Sequence, residues 1–268
     1  MGGDRAKGAP PYLSNSMIFF NGQPSETSEL SDAILLGDGL FETLRSYEGR
    51  LFALDSHLER LELGLVDLVG TPVPWYSREK IIDGIERILR HQKFPSGALR
   101  ISIYSDGNWV LSHKKYVVPT KGLSCTVIEG GQEQLGYKSS SYSTRLRARR
   151  YAEQQGFDDA IFVQEGGEVS ELSTSNLIAL VNGVWITPRL ESGALPGVTR
   201  RALIDNFEIK EGKLDLASLE GADSLGAISS LREIQSIKAI DGKDTPSSNR
   251  FRELQESFHS WILGNLAQ

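Results

Sequence analysis

G-Y-K-S-S-S-Y (136–142), R-L-R-A-R-R-Y-A-E-Q-Q-G-F-D-D-A-I-F-V (145–163) and G-G-E-V-S-E-L-S-T-S-N-L-I-A-L (166–180) form one stretch on which the reading of this chain turns. The order is a lysine, Lys138, just ahead of a helix, then a strand, a turn on Gly166-Gly167, and a returning strand that carries one carboxylate, Glu171. Lysine is the side chain that condenses with carbonyls, and burial or a neighbouring cation lowers its pKa enough to free the amine. A carboxylate across the same site can hold a ring nitrogen protonated, the pairing expected around pyridoxal phosphate. Taken alone the pattern is weak, because most lysines are solvated.

Toward the C-terminus, V-W-I-T-P (184–188) reads as a short strand after the Asn182-Gly183 turn, and G-A-L-P-G-V-T-R-R-A-L-I-D-N-F (193–207) as a turn opening a helix. Helix N-termini present free N–H groups and the positive dipole end, so the amides near Val198 and Thr199 can cradle a phosphate. An ordinary proline-glycine turn capped by Thr199 fits the same letters. D-S-L-G-A-I-S-S-L-R-E-I (223–234) places Ser229 and Ser230 just past an apolar strand, a second loop able to offer amides and hydroxyls to the same anion. Residues 247–266 close the chain as a helix with Phe251, Leu254, Phe258 and Ile262 on one side.

Toward the N-terminus, M-I-F-F-N-G-Q (17–23) reads as a strand entering an Asn-Gly turn, and Ser31-Asp32 starts the next element. In G-D-G-L-F-E-T-L-R (37–45), Phe41, Thr43 and Arg45 alternate with Leu40, Glu42 and Leu44 as a strand requires, and a hairpin through Glu48-Gly49 returns as R-L-F-A-L. From Asp55 the period changes to that of a helix with Leu58, Leu61, Leu65 and Leu68 on one face and Arg60 near its start; spacing alone favours an ordinary surface arginine at Arg60. A second helix spans about Ser77 to His91. A-L-R-I-S-I-Y and G-L-S-C-T-V-I-E read as strands, with a polar loop around Asp106 to Lys115 between them. The expected division is a tail over 1–16, an α+β domain over 17–130, a linker over 131–136 and a second domain over 137–268.

Composition bounds the chemistry. The 268 residues can bury a large core in one or two domains, and no apolar run is long enough to span a bilayer. A net charge of -6 argues against a nucleic-acid groove, and the run Arg145 to Arg150 reads as a solvated or interface face of a helix. A single cysteine excludes an internal disulfide, and four scattered histidines without ligand spacing argue against a structural zinc site. The tail lacks the apolar core of a secretory signal, so a reducing cytoplasm is the expected location.

Together these pieces resemble the class IV pyridoxal-phosphate family, which contains branched-chain and D-amino-acid aminotransferases and 4-amino-4-deoxychorismate lyase. G-D-G-L-F-E-T-L-R looks like the family's early strand, and H-L-E-R-L (57–61) like the helix bearing its phosphate-binding arginine, which gives that role to Arg60. K-S-S-S-Y with D-D-A-I-F downstream matches the lysine segment and assigns the Schiff base to Lys138. Gly167 through Asn176 matches the family's glycine, valine, glutamate and asparagine pattern, making Glu171 the partner of the pyridine nitrogen. L-P-G-V-T-R and S-S-L-R-E-I match the two phosphate loops.

The resemblance implies a two-domain α+β fold of type IV, similar to D-amino-acid aminotransferase, with pyridoxal 5'-phosphate between the domains and a homodimer in solution. Arg60, the amides at Val198 and Thr199, and Ser229 and Ser230 would anchor the phosphate, and Tyr142 would reach the ring's phenolic oxygen. The short lysine segment, which lacks the glycines usual in branched-chain enzymes, leans toward aminodeoxychorismate lyase. An amino-acid or amine aminotransferase is the second expectation, and a scaffold that binds the cofactor without turnover the third. Tyr104-Ser105 replaces the family's arginine-glycine pair after its strand. Arg45 and Arg100 are candidate contacts for a substrate carboxylate, with a strand-face ion pair as an equal alternative.

Overall fold

Two short strands, β1 (Ile18–Phe20) and β2 (Gln23–Ser25), pair antiparallel at the start of the described chain. The computed structural model describes residues 18–20, 23–25, 31–130, 136–140 and 143–266. The expected tail over 1–16, Tyr142 and all of the expected linker except Gly136 lie outside the described residues.

α1 (Asp32–Leu36) begins where the Ser31 hydroxyl accepts from the Ile34 amide at 3.3 Å and ends at Gly37, whose φ of 68° suits a residue without Cβ. β3 (Gly39–Tyr47) follows and turns through Glu48 and Gly49, both at positive φ, into β4 (Arg50–Leu51). α2 (Leu54–Val69) and α3 (Arg78–His91) come next, the second capped by Ser77. β5 (Ser96–Tyr104) pairs with β3 along nine residues from Gly39–Tyr104 to Tyr47–Ser96.

β6 (Trp109–Lys115) replaces most of the polar loop expected over 106–115 and pairs with β5. Only His113 is buried along it, so this edge strand leaves no two-residue apolar period to read. The antiparallel sheet β4-β3-β5-β6 packs Leu40, Leu44, Leu99, Ile101 and Ile103 against Leu58, Leu61 and Leu65 of α2 and Ile81 and Ile85 of α3.

The second sheet opens with β7 (Leu123–Glu129) and continues after α4 (Ser143–Gln154) with β8 (Asp159–Val163), β9 (Val169–Leu172), β10 (Asn176–Val181) and β11 (Val184–Pro188). α5 (Val198–Asn206), β12 (Lys210–Gly212), α6 (Leu216–Glu220), β13 (Ser224–Ser229), β14 (Glu233–Ile240), β15 (Lys243–Asp244) and α7 (Asn249–Gly264) complete the chain. The strand order is β12-β11-β10-β13-β14-β7-β8-β9, with β15 beside β14. β7 lies between β14 and β8, parallel to both, so the change of sheet falls before Leu123 although the sequence division put this strand in the first half.

Alternation along β10 and β13 buries both faces of this sheet. Leu177, Ala179, Leu225 and Ala227 join Leu219 of α6 on one side; Ile178, Leu180 and Ile228 join Leu203 of α5 and Phe251 and Phe258 of α7 on the other. The second cluster also takes in Tyr47 of β3 and Phe52, just past β4; Phe52 bridges to Leu266 and meets the Phe258 ring of α7 edge-on, so α7 packs across both sheets. The architecture is α+β, as the sequence implies. No described helix is long and apolar enough to cross a membrane.

Candidate active site

Lys138 is held by backbone before any side chain is considered. Leu40 of β3 and Ser139 form an antiparallel bridge: the Phe41 amide donates to Lys138 O at 2.9 Å and the Ser140 amide to Gly39 O at 2.7 Å. The close fit continues beneath it. A Cβ on Gly64 of α2 would lie 2.8 Å from Tyr137 Cβ and Cγ, so only glycine lets the helix support the residue before the lysine. The Lys138 amine stands 5.7 Å from the centre of the Phe41 ring. Burial, followed by the nearby Arg60 charge, brings its pKa from 10.5 down to about 8, with Arg145 adding to that and Glu42 and Glu171 opposing it.

Glu171, on β9, is buried to 1 % exposure. One oxygen accepts from Arg145 Nη2, and the other from Asn176 Nδ2 at 3.1 Å. The same Asn176 nitrogen donates to Leu195 O at 2.8 Å, tying β10 to the loop before α5. Burial dominates at Glu171 and leaves its carboxyl above the ordinary value, although Arg145, the Leu195 amide and Lys138 pull it down. Its loop is fixed by the fully buried Asp159, which accepts from Ser173 Oγ, from Thr174 Oγ1 at 3.2 Å and from Arg232 at 3.4 Å.

An anion-binding corner lies opposite. Gly197 precedes α5 without a side-chain cap, so the first amides of the helix, at Val198 and Thr199, are left for another acceptor. A Cβ on Gly197 would come 2.0 Å from Asn176 Oδ1. Arg60 of α2 donates from Nη1 to Pro196 O at 2.8 Å and grips Glu42 of β3 with Nε and Nη2, both at 2.7 Å. His57 Nδ1 meets the same carboxylate at 2.7 Å, its Nε2 lies 3.0 Å from Ser230 Oγ, and Ser230 lies 3.4 Å from Thr199 Oγ1. Burial lowers the His57 pKa despite Glu42, which keeps the ring neutral: Nδ1–H donates to Glu42 and Nε2 accepts from Ser230. For Glu42, burial works upward, but Arg60 and His57 outweigh it and hold the carboxyl far below its usual range.

The structure thus brings Lys138, Glu171, Arg60, Val198, Thr199, Ser229 and Ser230 around one pocket. The set fits a phosphorylated pyridine aldehyde. It combines an amine of lowered pKa, a buried carboxylate, an uncapped helix N-terminus beside an arginine, and a buried Ser175 hydroxyl on the same wall with no hydrogen-bond partner among the described residues. Two expected residues stand elsewhere. Arg45 pairs with Glu233 at 2.6 Å, donates to Ser96 at 3.0 Å and covers the Tyr47 ring, so its guanidinium is engaged in an ion pair. Arg100 lies 3.7 Å over the Phe41 ring, beside the residue that Lys138 approaches. The reading of Arg145 to Arg150 as a solvated or interface face fails at Arg145, which turns inward onto Glu171, because nothing in the run marks which arginine does so. Sequence reasoning passed over His57, Asn176 and Ser175 as individual contributors.

A family model described as amino-transferase class IV matches residues 39–240. An aminodeoxychorismate lyase of Bacillus subtilis is 30% identical over 259 residues, covering 84% of this chain and 87% of that protein. A D-alanine aminotransferase of Staphylococcus epidermidis is 26% identical over 272 residues, covering 91% of this chain and 95% of its own. In three dimensions the branched-chain amino acid aminotransferase of Escherichia coli superposes with a TM-score of 0.78 at 22% identity, over 94% of this chain and 98% of that one. With the family model spanning both sheets and the pocket between them, this chain belongs to the class IV aminotransferase family.

Proposed function

We propose that this chain is a pyridoxal-phosphate-dependent 4-amino-4-deoxychorismate lyase, releasing 4-aminobenzoate and pyruvate. The observation that carries the cofactor is the opposition of the Lys138 amine and the buried Glu171 carboxylate in a pocket that also holds Arg60 and the start of α5. Arg60, the Val198, Thr199 and Ser230 amides and the Ser229 hydroxyl would hold the phosphate dianion, and Glu171 would face the ring nitrogen. When bound, the cofactor supplies an electron-withdrawing ring conjugated to the substrate amine.

Lys138 does the proton work. With its pKa near 8, a substantial fraction is free base at neutral to mildly alkaline pH, and the amine takes the proton from the substrate carbon that bears nitrogen. In the lyase reaction that loss is followed by cleavage of the neighbouring carbon–oxygen bond, and the departing enolpyruvyl group takes up a proton to become pyruvate. Formation of an aromatic ring drives the step. Support for the lyase over a transaminase comes from the 30% identical lyase relative and from a lysine segment, K-S-S-S-Y, without glycine. The D-alanine aminotransferase relative, which covers more of both chains, favours transamination as the second reading.

The experiment is product analysis with purified holoenzyme. Aminodeoxychorismate alone is expected to yield 4-aminobenzoate and pyruvate with no keto acid added. No product there, with keto-acid-dependent amino transfer from D-alanine or a branched-chain amino acid, replaces the lyase with the transaminase. The same reading carries a cytoplasmic homodimer, checked by light scattering of the holoenzyme and by cell fractionation.

A further inference from the structure

Arg145 departs from the arginine run around it. Arg147 and Arg150 are exposed, and Arg149 pairs at the surface with Glu153 at 2.9 Å. Arg145, in the first turn of α4, turns into the pocket with its side chain 14% exposed and its Nη2 on Glu171 Oε1. Asn176 occupies the other oxygen. A carboxylate accepts at about four lone-pair positions, so both bonds leave room for a ring N–H. The charged groups that act on Glu171 are Arg145 from α4 and Lys138 from the segment before it, and Arg145 is the stronger.

A single proton lies between a carboxylate and a pyridine nitrogen, and it rests on the stronger base. A guanidinium in contact with the carboxylate weakens that base more than it weakens the ring beyond, because the interaction falls with distance. Burial already holds the Glu171 carboxyl above its ordinary value, so removing Arg145, the stronger of its two cations, shifts it further toward the neutral form, and a neutral acid leaves the ring uncharged. We propose that Arg145 is a positioning residue that keeps Glu171 charged and aimed into the pocket, so that the shared proton sits on the ring nitrogen of bound pyridoxal phosphate. The inference rests on the cofactor reading above. The proton moves from a carboxyl oxygen to the ring nitrogen, with no other bond made or broken.

The test reads Glu171 without cofactor, by NMR pH titration of protein labelled with 13C at the glutamate carboxyl carbons, its signal identified by loss in Glu171→Gln. Arg145→Gln is expected to raise the midpoint by about one to three pH units, and Arg145→Lys to recover most of that shift. A second readout is the 15N signal of labelled pyridoxal phosphate in the reconstituted holoenzyme. It is expected at the protonated position in the wild type and to move toward the neutral position in Arg145→Gln. An unchanged carboxyl midpoint, or a ring-nitrogen signal that stays put when the midpoint moves, overturns the proposal. Should Arg145→Gln not fold, Arg145→Lys decides: the ring nitrogen is expected to remain protonated, and a neutral signal overturns the proposal. Wild-type protein that takes up no pyridoxal phosphate, while its carboxyl midpoint still responds to Arg145, removes the cofactor reading instead.

Discussion

Lys138 is an amine whose chemistry is set by what surrounds it. Burial and the neighbouring Arg60 bring it to about 8, so the free base grows in as pH rises through that value rather than through 10.5. The rate at which cofactor-free protein captures pyridoxal phosphate, followed by the growth of visible absorbance, is expected to rise with a midpoint near pH 8. A midpoint near 10 would mean a solvated amine. Lys138→Ala is expected to bind the cofactor without that absorbance. Glu42 works in the opposite sense. Its folded pKa lies below the ordinary 4.5, so its contribution is fully present above that pH and is lost as pH falls beneath it. Glu42→Gln is therefore expected to flatten the acid side of the stability curve measured by urea melts. Arg60→Gln leaves Glu42 with His57 alone, and is expected to cost about 3–5 kcal/mol in the cofactor-free protein as well as weaken phosphate binding.

Secondary-structure elements bring these side chains together through glycines placed at their crossings. Gly64 admits Tyr137 against α2, and Gly197 lets Asn176 reach both Glu171 and the loop before α5. Gly197→Ala puts a methyl where Asn176 Oδ1 lies and is expected to weaken pyridoxal phosphate binding at least about tenfold by displacing the Glu171 clamp, measured by absorbance titration. The long periodic elements were legible in the letters: α2 and α7 from leucine and phenylalanine spacing, β3 from alternation, and the α5 start from proline-glycine-valine-threonine. β6 was not, since an edge strand with one buried side chain carries no period, and β7 reads with the first half in the letters but pairs in the second sheet, because strand letters do not name their pairing partners. At the site, residue types pointed to the amine and the acid, whereas the inward turn of Arg145 and the partner of Arg45 depend on contacts between distant segments.

Across the whole molecule, the two sheets are joined by buried polar contacts as well as by α7. Arg60 reaches Pro196, His57 reaches Ser230, and Glu233, at a φ of 57°, gathers Arg45, Tyr47 and His259. Removing one member of a buried ion pair costs about 3–5 kcal/mol. Arg45→Leu is expected to lower Tm in the cofactor-free protein and leave the substrate KM of the holoenzyme unchanged; a raised KM at constant Tm would instead put Arg45 on the substrate.

The bridge between β3 and the Lys138 segment has a temporal consequence. Its partners are separated by roughly a hundred residues, and contacts across so long a loop are slow to close in a folding chain. The nascent polypeptide therefore has no competent amine until β3 has formed its sheet and the later segment has returned to it. During refolding from urea in the presence of pyridoxal phosphate, colour is expected to develop after helical circular dichroism has recovered, making the vitamin a stopwatch for the last act of assembly.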